Sequence, residues 1–303
     1  MHKILIIGYS SLAKRRIVDS LQRNNIPYDI ASRSEVRKDL NAEIWYKGYN
    51  EALNKSNADI AYISLPNTLH FKWGMKALKK GFHTIIDKPA SLNLKELNLL
   101  FATSKKNKKI LSEAIFFNYH AQTKYILKEI KKNKIKSINT NFLIPRPSKK
   151  NILLSKKLGG GVIMDMGPYI AAVSRLFFKS SPKKKIKKVI LKNKIASKIE
   201  IMFTYKRSYF VGKFSHNDKY ENSIEICFKK KIIKLSRFFS PPALEKLKVL
   251  ILKGKIIKSK TFSDDIFKNY IEEVFRIVDK KDYSFYKKQM LHDIKIREYL
   301  QNK

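Results

Sequence analysis

Lys88 sits between Asp87 and Pro89 at the end of an apolar run, Thr84-Ile85-Ile86, that reads as a short buried strand. Pro89 biases the residue before it toward an extended backbone and ends the strand. Ligands of parallel α/β sheets bind at the carboxyl ends of the strands. A lysine there is held by the scaffold and faces a crevice; an exposed Asp-Lys-Pro turn is the plain alternative. A second pair with chemical potential is Asp165 and Tyr169, which share one face of a helix at i, i+4 spacing. Gly159-Gly160-Gly161 precedes them and permits close backbone approach to a ligand. Against this stand two structural readings: Asp165 as an acid stabilising a helix N-terminus, and Tyr169 as a core aromatic with a satisfied hydroxyl.

The elements that must position these groups begin at the first residues. Lys3 to Ile7 is apolar and is followed by Gly8-Tyr9-Ser10-Ser11-Leu12-Ala13, then by Ile17 and Leu21 at helical spacing. Strand, tight turn and helix in this order can seat a pyrophosphate on backbone N–H groups. Of the three-glycine fingerprint only Gly8 remains; Ser10 and Ala13 take the other places, and the Ser10 hydroxyl is a candidate phosphate donor. A second strand, Tyr28 to Ala31, runs into Ser32-Arg33-Ser34. Two hydroxyls, one cation and no acid at that strand end suit a ribose 2′-phosphate, so NADP(H) is preferred and NAD(H) is the alternative. Asp59 to Leu65 is the next strand, ending in Pro66-Asn67-Thr68-Leu69-His70 before a helix that carries Trp73, Ala77 and Leu78. Asn93 and Glu96 form a capping box for a further helix, and Ile110 to Ala114 is a strand containing Glu113. This alternation predicts a doubly wound parallel sheet.

With these motifs in order, the chain resembles the glucose–fructose oxidoreductase (Gfo/Idh/MocA) family along nearly its whole length. Leu65 to His70 is similar to the family's strand-end motif beside the cofactor, and Asp87-Lys88-Pro89 to its Glu-Lys-Pro motif. Glu113 to Gln122 is similar to the segment leaving the nucleotide domain, with Asn118 and Ala121 where many members have Arg and Pro. Gly159 to Tyr169 is similar to the Gly-Gly-Gly…Asp-x-Gly-x-x-His/Tyr motif. The resemblance implies a Rossmann domain over residues 1–118 and, over 119–303, an α+β domain for substrate binding and oligomerisation, built on a large mixed, mostly antiparallel sheet. It implies cofactor contacts from Gly8 to Leu12, from Ser32, Arg33 and Ser34, from Leu65, Pro66, Asn67 and His70, and from Asp87, Lys88 and Glu113. It makes Lys88, Asp165 and Tyr169 catalytic, the lysine polarising a carbonyl or passing a proton, the tyrosine donating one, and the aspartate orienting substrate or lysine. A cis Lys88–Pro89 peptide and a homodimer or homotetramer are further implications. Tyr220 to Ile226 and Arg237 to Pro242 resemble members that reduce ketones on nucleotide-linked sugars, with ordinary strand edges and a Pro-rich turn as the alternative.

The chain has 303 residues with 65 Lys and Arg against 25 Asp and Glu, a formal net charge of +40. Such a balance first suggests nucleic acid or an anionic surface. The lysines, however, are spread throughout and no nucleic-acid motif accompanies them, so a lysine-rich composition is the simpler reading. Lys179 to Lys198 is the densest stretch, read as a solvated loop face or an attractor of anionic substrate. Cys227 stands alone, and the six histidines form no metal-spaced cluster. No signal peptide, membrane span or metal site is expected, and the expected compartment is the cytoplasm. The expected activity is an NADP(H)-dependent sugar or nucleotide-sugar oxidoreductase in activated-sugar or surface-glycan synthesis; the competing reading is a catalytically silent sugar or nucleotide sensor on the same fold.

Overall fold

The computed structural model describes residues 2–33, 41–149 and 151–302. The chain divides into two compact units, Met1–Ala114 with Phe267–Leu291, and Ile115–Ile266 with His292–Lys303. The resemblance implies one boundary, after Asn118; in the structure the chain leaves the first unit at Ile115 and returns to it at Phe267.

The first unit contains β1 (Ile4–Ile7), α1 (Asp19–Arg23) behind a π-helical turn at Ala13–Val18, β2 (Tyr28–Ala31), β3 (Trp45–Tyr46), α2 (Tyr49–Lys55), β4 (Ile60–Ile63), α3 (Asn67–Lys79), β5 (His83–Asp87), α4 (Leu94–Lys106) and β6 (Leu111–Ala114). All strand pairs are parallel, in the order β3-β2-β1-β4-β5-β6. This is the doubly wound dinucleotide order, whose switch point opens a crevice at the carboxyl ends of β1 and β4. Sheets covered on both faces need near-continuous apolar strands, and β1, β2 and β4 are buried at every position. The two-residue β3 is too short to carry a period and escaped the sequence reading. The expected cap forms: Asn93 Oδ1 accepts from Glu96 N at 2.9 Å, and Glu96 reaches back to Leu92 N rather than to Asn93. The returning segment is anchored by Tyr270, whose buried hydroxyl lies 2.7 Å from Ser112 Oγ.

The second unit holds α5 (Ala121–Lys132), β7 (Ile135–Leu143), α6 (Val162–Val173), β8 (Lys184–Lys192), β9 (Ile195–Tyr205), β10 (Ser208–Ser215), β11 (Glu221–Phe228), β12 (Ile232–Ser236), β13 (Leu247–Lys253) and β14 (Ile256–Phe262). Helices α7 (Ile266–Asp279) and α8 (Lys287–Gln301) follow. The sheet order is β14-β13-β12-β11-β7-β10-β9-β8, antiparallel except for β7 beside β10. Ile199, Ile201, Phe203, Phe210 and Phe214 alternate inward and pack with Ile170 and Val173 of α6 in one core. The lysine-dense stretch is no loop: it supplies edge strand β8. Lysines in adjacent pairs, Lys184-Lys185 and Lys187-Lys188, hid the strand, and lysine on an edge opposes pairing with other chains. Lys187 turns inward there, its Nζ donating to the Tyr299 and Leu300 carbonyls at 2.6 and 3.2 Å, where a cation complements the C-terminus of α8.

Candidate active site

The ends of β1, β4 and β5 lie side by side, and a directional hydrogen-bond chain ties them. Gly8 ends β1 with φ 95°, and a Cβ there would stand 2.3 Å from the Ser64 carbonyl oxygen, so only glycine lets this turn pass β4. Ala13 N donates to Ser10 Oγ at 3.0 Å, Ser10 Oγ lies 2.7 Å from Ser64 Oγ, and Ser64 Oγ donates to Asp87 Oδ2 at 2.7 Å. Tyr62 donates to the other oxygen of the same carboxyl. A hydroxyl has one proton to give. With Asp87 ionised, Ser64 spends its proton on the carboxylate, so Ser10 must spend its own on Ser64. The Ser10 hydroxyl is therefore directed into the protein rather than toward a phosphate. Burial pushes the Asp87 carboxyl above its usual range; the bonds from Tyr62 and Ser64, and the charges of His70 and Lys88, pull it back.

The backbone around Lys88 is pinned from three sides. Asp87 is held as described. Beyond it, the Lys88–Pro89 peptide is cis, as the resemblance implies. His70 is buried, with Nδ1 at 2.8 Å from Pro89 O and Nε2 at 2.7 Å from Leu65 O. Glu113, from β6, accepts from Ala90 N at 2.8 Å. His70 and Glu113 thus hold the main chain on which Lys88 is mounted, while the Lys88 side chain is half-buried. Leu65, Pro66 and Asn67 are half-buried where β4 passes into α3, beside this clamp.

The turn after β1 leads into a helix start, where backbone donors can take an anion. Tyr9 is half-buried against Trp45, and Ser11 and Leu12 are exposed at the mouth of the first helix, whose leading N–H groups have no intrahelical acceptor. At the end of β2, Ser32 is buried and Arg33 is exposed. Ser34 lies outside the described residues. The acid of β2, Asp29, is engaged with Lys3 Nζ at 2.8 Å and Ser56 Oγ at 2.7 Å. Among the described residues the strand end therefore offers a cation and no free carboxylate, which fits NADP(H) better than NAD(H).

In the second unit, Asp165 lies in the first turn of α6 and Tyr169 one turn on. Asp165 Oδ2 is 2.9 Å from Nε2 of His216, a buried residue directly after β10. Sequence reading missed His216, because a lone histidine after a strand carries no spacing signal. Tyr169 is half-buried against Phe117, Phe142 and Phe239, with ring centroids at 5.9, 5.4 and 5.5 Å. Phe239 belongs to the Arg237–Pro242 segment, and Asn222 Oδ1 of the other singled-out segment accepts from its N at 3.0 Å. Both segments thus build the wall behind Tyr169. A Cβ at Gly160 would lie 2.5 Å from Ile152 O, so the close approach made by that glycine is to the protein's own backbone. Among the described residues, no cluster of three His, Cys, Asp or Glu could hold a metal, and no helix is long and apolar enough to cross a membrane.

Comparison with known proteins agrees with this architecture. Residues 2–115 match the model of an oxidoreductase family with an NAD-binding Rossmann fold. The dTDP-3,4-didehydro-2,6-dideoxy-alpha-D-glucose 3-reductase of Actinomadura kijaniata is 28% identical over 184 residues, 58% of this chain and 55% of the relative. D-xylose 1-dehydrogenase (NADP(+)) 2 of Haloferax volcanii is 27% identical over 57% of this chain and 56% of its own length. The chain thus spans about half the length of the curated relatives it matches. The fold is that of a 3-ketoreductase from Actinomadura kijaniata solved with NADP and TDP-benzene, with a TM-score of 0.89 at 21% identity over 98% of this chain and 96% of that one. UDP-N-acetylglucosamine 3-dehydrogenase from Acidithiobacillus ferrooxidans has the same fold, with a TM-score of 0.81 at 14% identity over 99% and 96% of the two chains. Over residues 2–115 the chain is thus similar to the Gfo/Idh/MocA oxidoreductases.

Proposed function

We propose that the chain is an NADP(H)-dependent oxidoreductase that interconverts a hydroxyl and a ketone on a nucleotide-linked sugar, in the synthesis of activated sugars for surface glycans. The observation that carries this reading is the clamp around Lys88: Ser64, just after β4, holds the Asp87 carboxylate, while His70 of α3 and Glu113 of β6 hold the Pro89 carbonyl and the Ala90 N–H, effort that an incidental surface lysine would not require. The curated relatives named as sugar 3-reductases and NADP(+)-dependent dehydrogenases support it.

The nicotinamide supplies the hydride when bound. The turn Gly8 to Leu12 holds the phosphates and Arg33 the 2′-phosphate. Lys88 directs its cation at the oxygen that gains negative charge in the transition state. Tyr169 delivers the proton, its ring held by the phenylalanine wall, and Asp165, steadied by His216, orients the substrate hydroxyls. The reading also places the chain in the cytoplasm as a dimer or tetramer. The outer face of the second sheet supports association: Ile186, Met202 and Val211 stand in register across β8, β9 and β10, with Met202 and Ile186 at 40% and 45% exposure. Light scattering of the wild type should give a dimer or tetramer at micromolar concentration. The activity is tested by fluorescence titration with NADPH and NADH, followed by NADPH oxidation against a panel of nucleotide-linked keto sugars. Absence of turnover across the panel, with NADPH bound, would favour the sensor.

A further inference from the structure

A cavity of about 230 Å³ in the second unit has His216 in its wall, with Arg146, Lys149, Lys192, Ile195 and Asn217 around it. Topology brings these residues together. Strands β7 and β10 are parallel, and β8 and β10 are both antiparallel to β9, so the carboxyl ends of β7, β8 and β10 share one edge of the sheet. Arg146 and Lys149 follow β7, Lys192 ends β8, and Asn217 follows β10.

Two separate segments thus deliver three cations to one hollow, and a third brings Asn217. None of the three meets a carboxylate among the described residues; Lys192 Nζ has only Asn217 Oδ1, at 3.4 Å. The nearby acid Asp218 faces Lys198 at 3.7 Å. Convergent cations with an amide between them suit an anion bearing several oxygens, and arginine can pair two of those oxygens at once. The volume is also informative. Pockets that take a whole small-molecule ligand run from ~300 to ~1,000 Å³, so this hollow fits one part of a larger ligand. His216, in the wall of the hollow, bonds Asp165, the residue assigned to the substrate hydroxyls. An anionic group seated in the hollow is therefore one side chain away from the sugar position.

We infer that this hollow is the subsite for the diphosphate of a nucleotide-linked substrate, with Arg146, Lys149 and Lys192 as its specificity residues. The inference rests on the proposed nucleotide-sugar activity and deepens it: a free sugar has nothing for these three cations to bind.

Calorimetry on the full chain, with UDP and dTDP as probes, tests the assignment. The variants are Arg146→Ala with Lys149→Ala, and separately Lys192→Ala; a control pair, Lys136→Ala with Lys248→Ala, removes the same charge elsewhere. The cationic variants should weaken nucleoside diphosphate binding by ten-fold or more and raise KM for the keto sugar nucleotide by a similar factor. NADPH affinity and the unfolding midpoint should stay as in the wild type, and the control should bind like the wild type. Equal binding by wild type and cationic variants would overturn this subsite and leave the proposed activity standing. An equal loss in the control would likewise overturn it, because net charge and not the hollow would be responsible. Failure of the wild type to bind either diphosphate while a free sugar is turned over would instead sink the nucleotide-linked reading, and the subsite with it.

Discussion

Nδ1 of His70 lies 2.8 Å from the carbonyl oxygen of Pro89, and its Nε2 lies 2.7 Å from that of Leu65. Carbonyl oxygens only accept, so both bonds are made when both ring nitrogens donate. A single side chain thereby joins the loop after β4 to the loop that carries Lys88. Replacing His70 with Phe takes its partner from the part-buried Leu65 carbonyl and from the buried Pro89 carbonyl, the latter at about 1–3 kcal/mol. The expected result is a lower urea midpoint together with a fall in kcat of about ten-fold or more, as Lys88 loses its aim. His70→Gln, which can reach only one of the carbonyls with its amide, should fall between. A His70→Phe protein with wild-type kcat and reduced stability would show the clamp to be structural alone.

Lys88→Met keeps side-chain length and removes charge and donor. Turnover on a confirmed keto sugar should drop by at least ~10². NADPH affinity should survive, because the proposed phosphate site is at the first helix rather than at β5. Tyr169→Phe should slow turnover less if Lys88 gives the proton, and more if the tyrosine does. Single-turnover rates of the two variants at saturating cofactor rank the two donors.

Arg33→Ala should weaken NADPH by about ten-fold or more and leave NADH nearly unchanged, since only the former carries the 2′-phosphate. Ser10→Ala provides the contrast. Its hydroxyl is directed at Ser64, so its loss should act on the Ser64–Asp87 chain and on stability, with no preference between the cofactors. Fluorescence titration of both cofactors on both variants separates the two roles.

How much of this was legible follows from range. Strands of the first sheet were readable because burial on both faces writes apolar runs into the chain, and Lys88 was readable because Pro89 and the preceding run mark a strand end. The second sheet was readable where inward residues alternate, as from Ile199 to Phe203. Strand β8 was lost because its lysines turn the pattern polar, one of them, Lys187, even on the inner face. His216, Tyr62 and Ser64 were lost for a different reason. Their partners Asp165 and Asp87 are 51, 25 and 23 positions away, and no local spacing encodes such contacts.

His83, at the start of β5, gives the fold a pH dependence whose sign can be worked out. Burial, with the charges of Lys109 and His2 nearby, pulls its pKa down to about 4, against a small opposing pull from Asp59. Its Nδ1 accepts from Ile110 N at 3.1 Å, a bond that protonation of that nitrogen would remove, and its ring stacks 6.5 Å from that of Tyr283. A group whose folded pKa is depressed binds fewer protons folded than unfolded, so stability is full above ~6.5 and is lost as pH falls toward the folded value. Asp87 has the opposite sign: its raised carboxyl favours the fold at low pH and loses that contribution as pH rises. The two overlap, so the wild-type curve alone does not isolate His83. His83→Asn keeps an acceptor for Ile110 N and cannot titrate. Between pH 7 and pH 5 the wild type should lose about 1 kcal/mol more than the variant, a figure reduced for the partial solvent access of the ring. Urea midpoints measured on both proteins across that range give the difference directly, and parallel curves would remove His83 from the account.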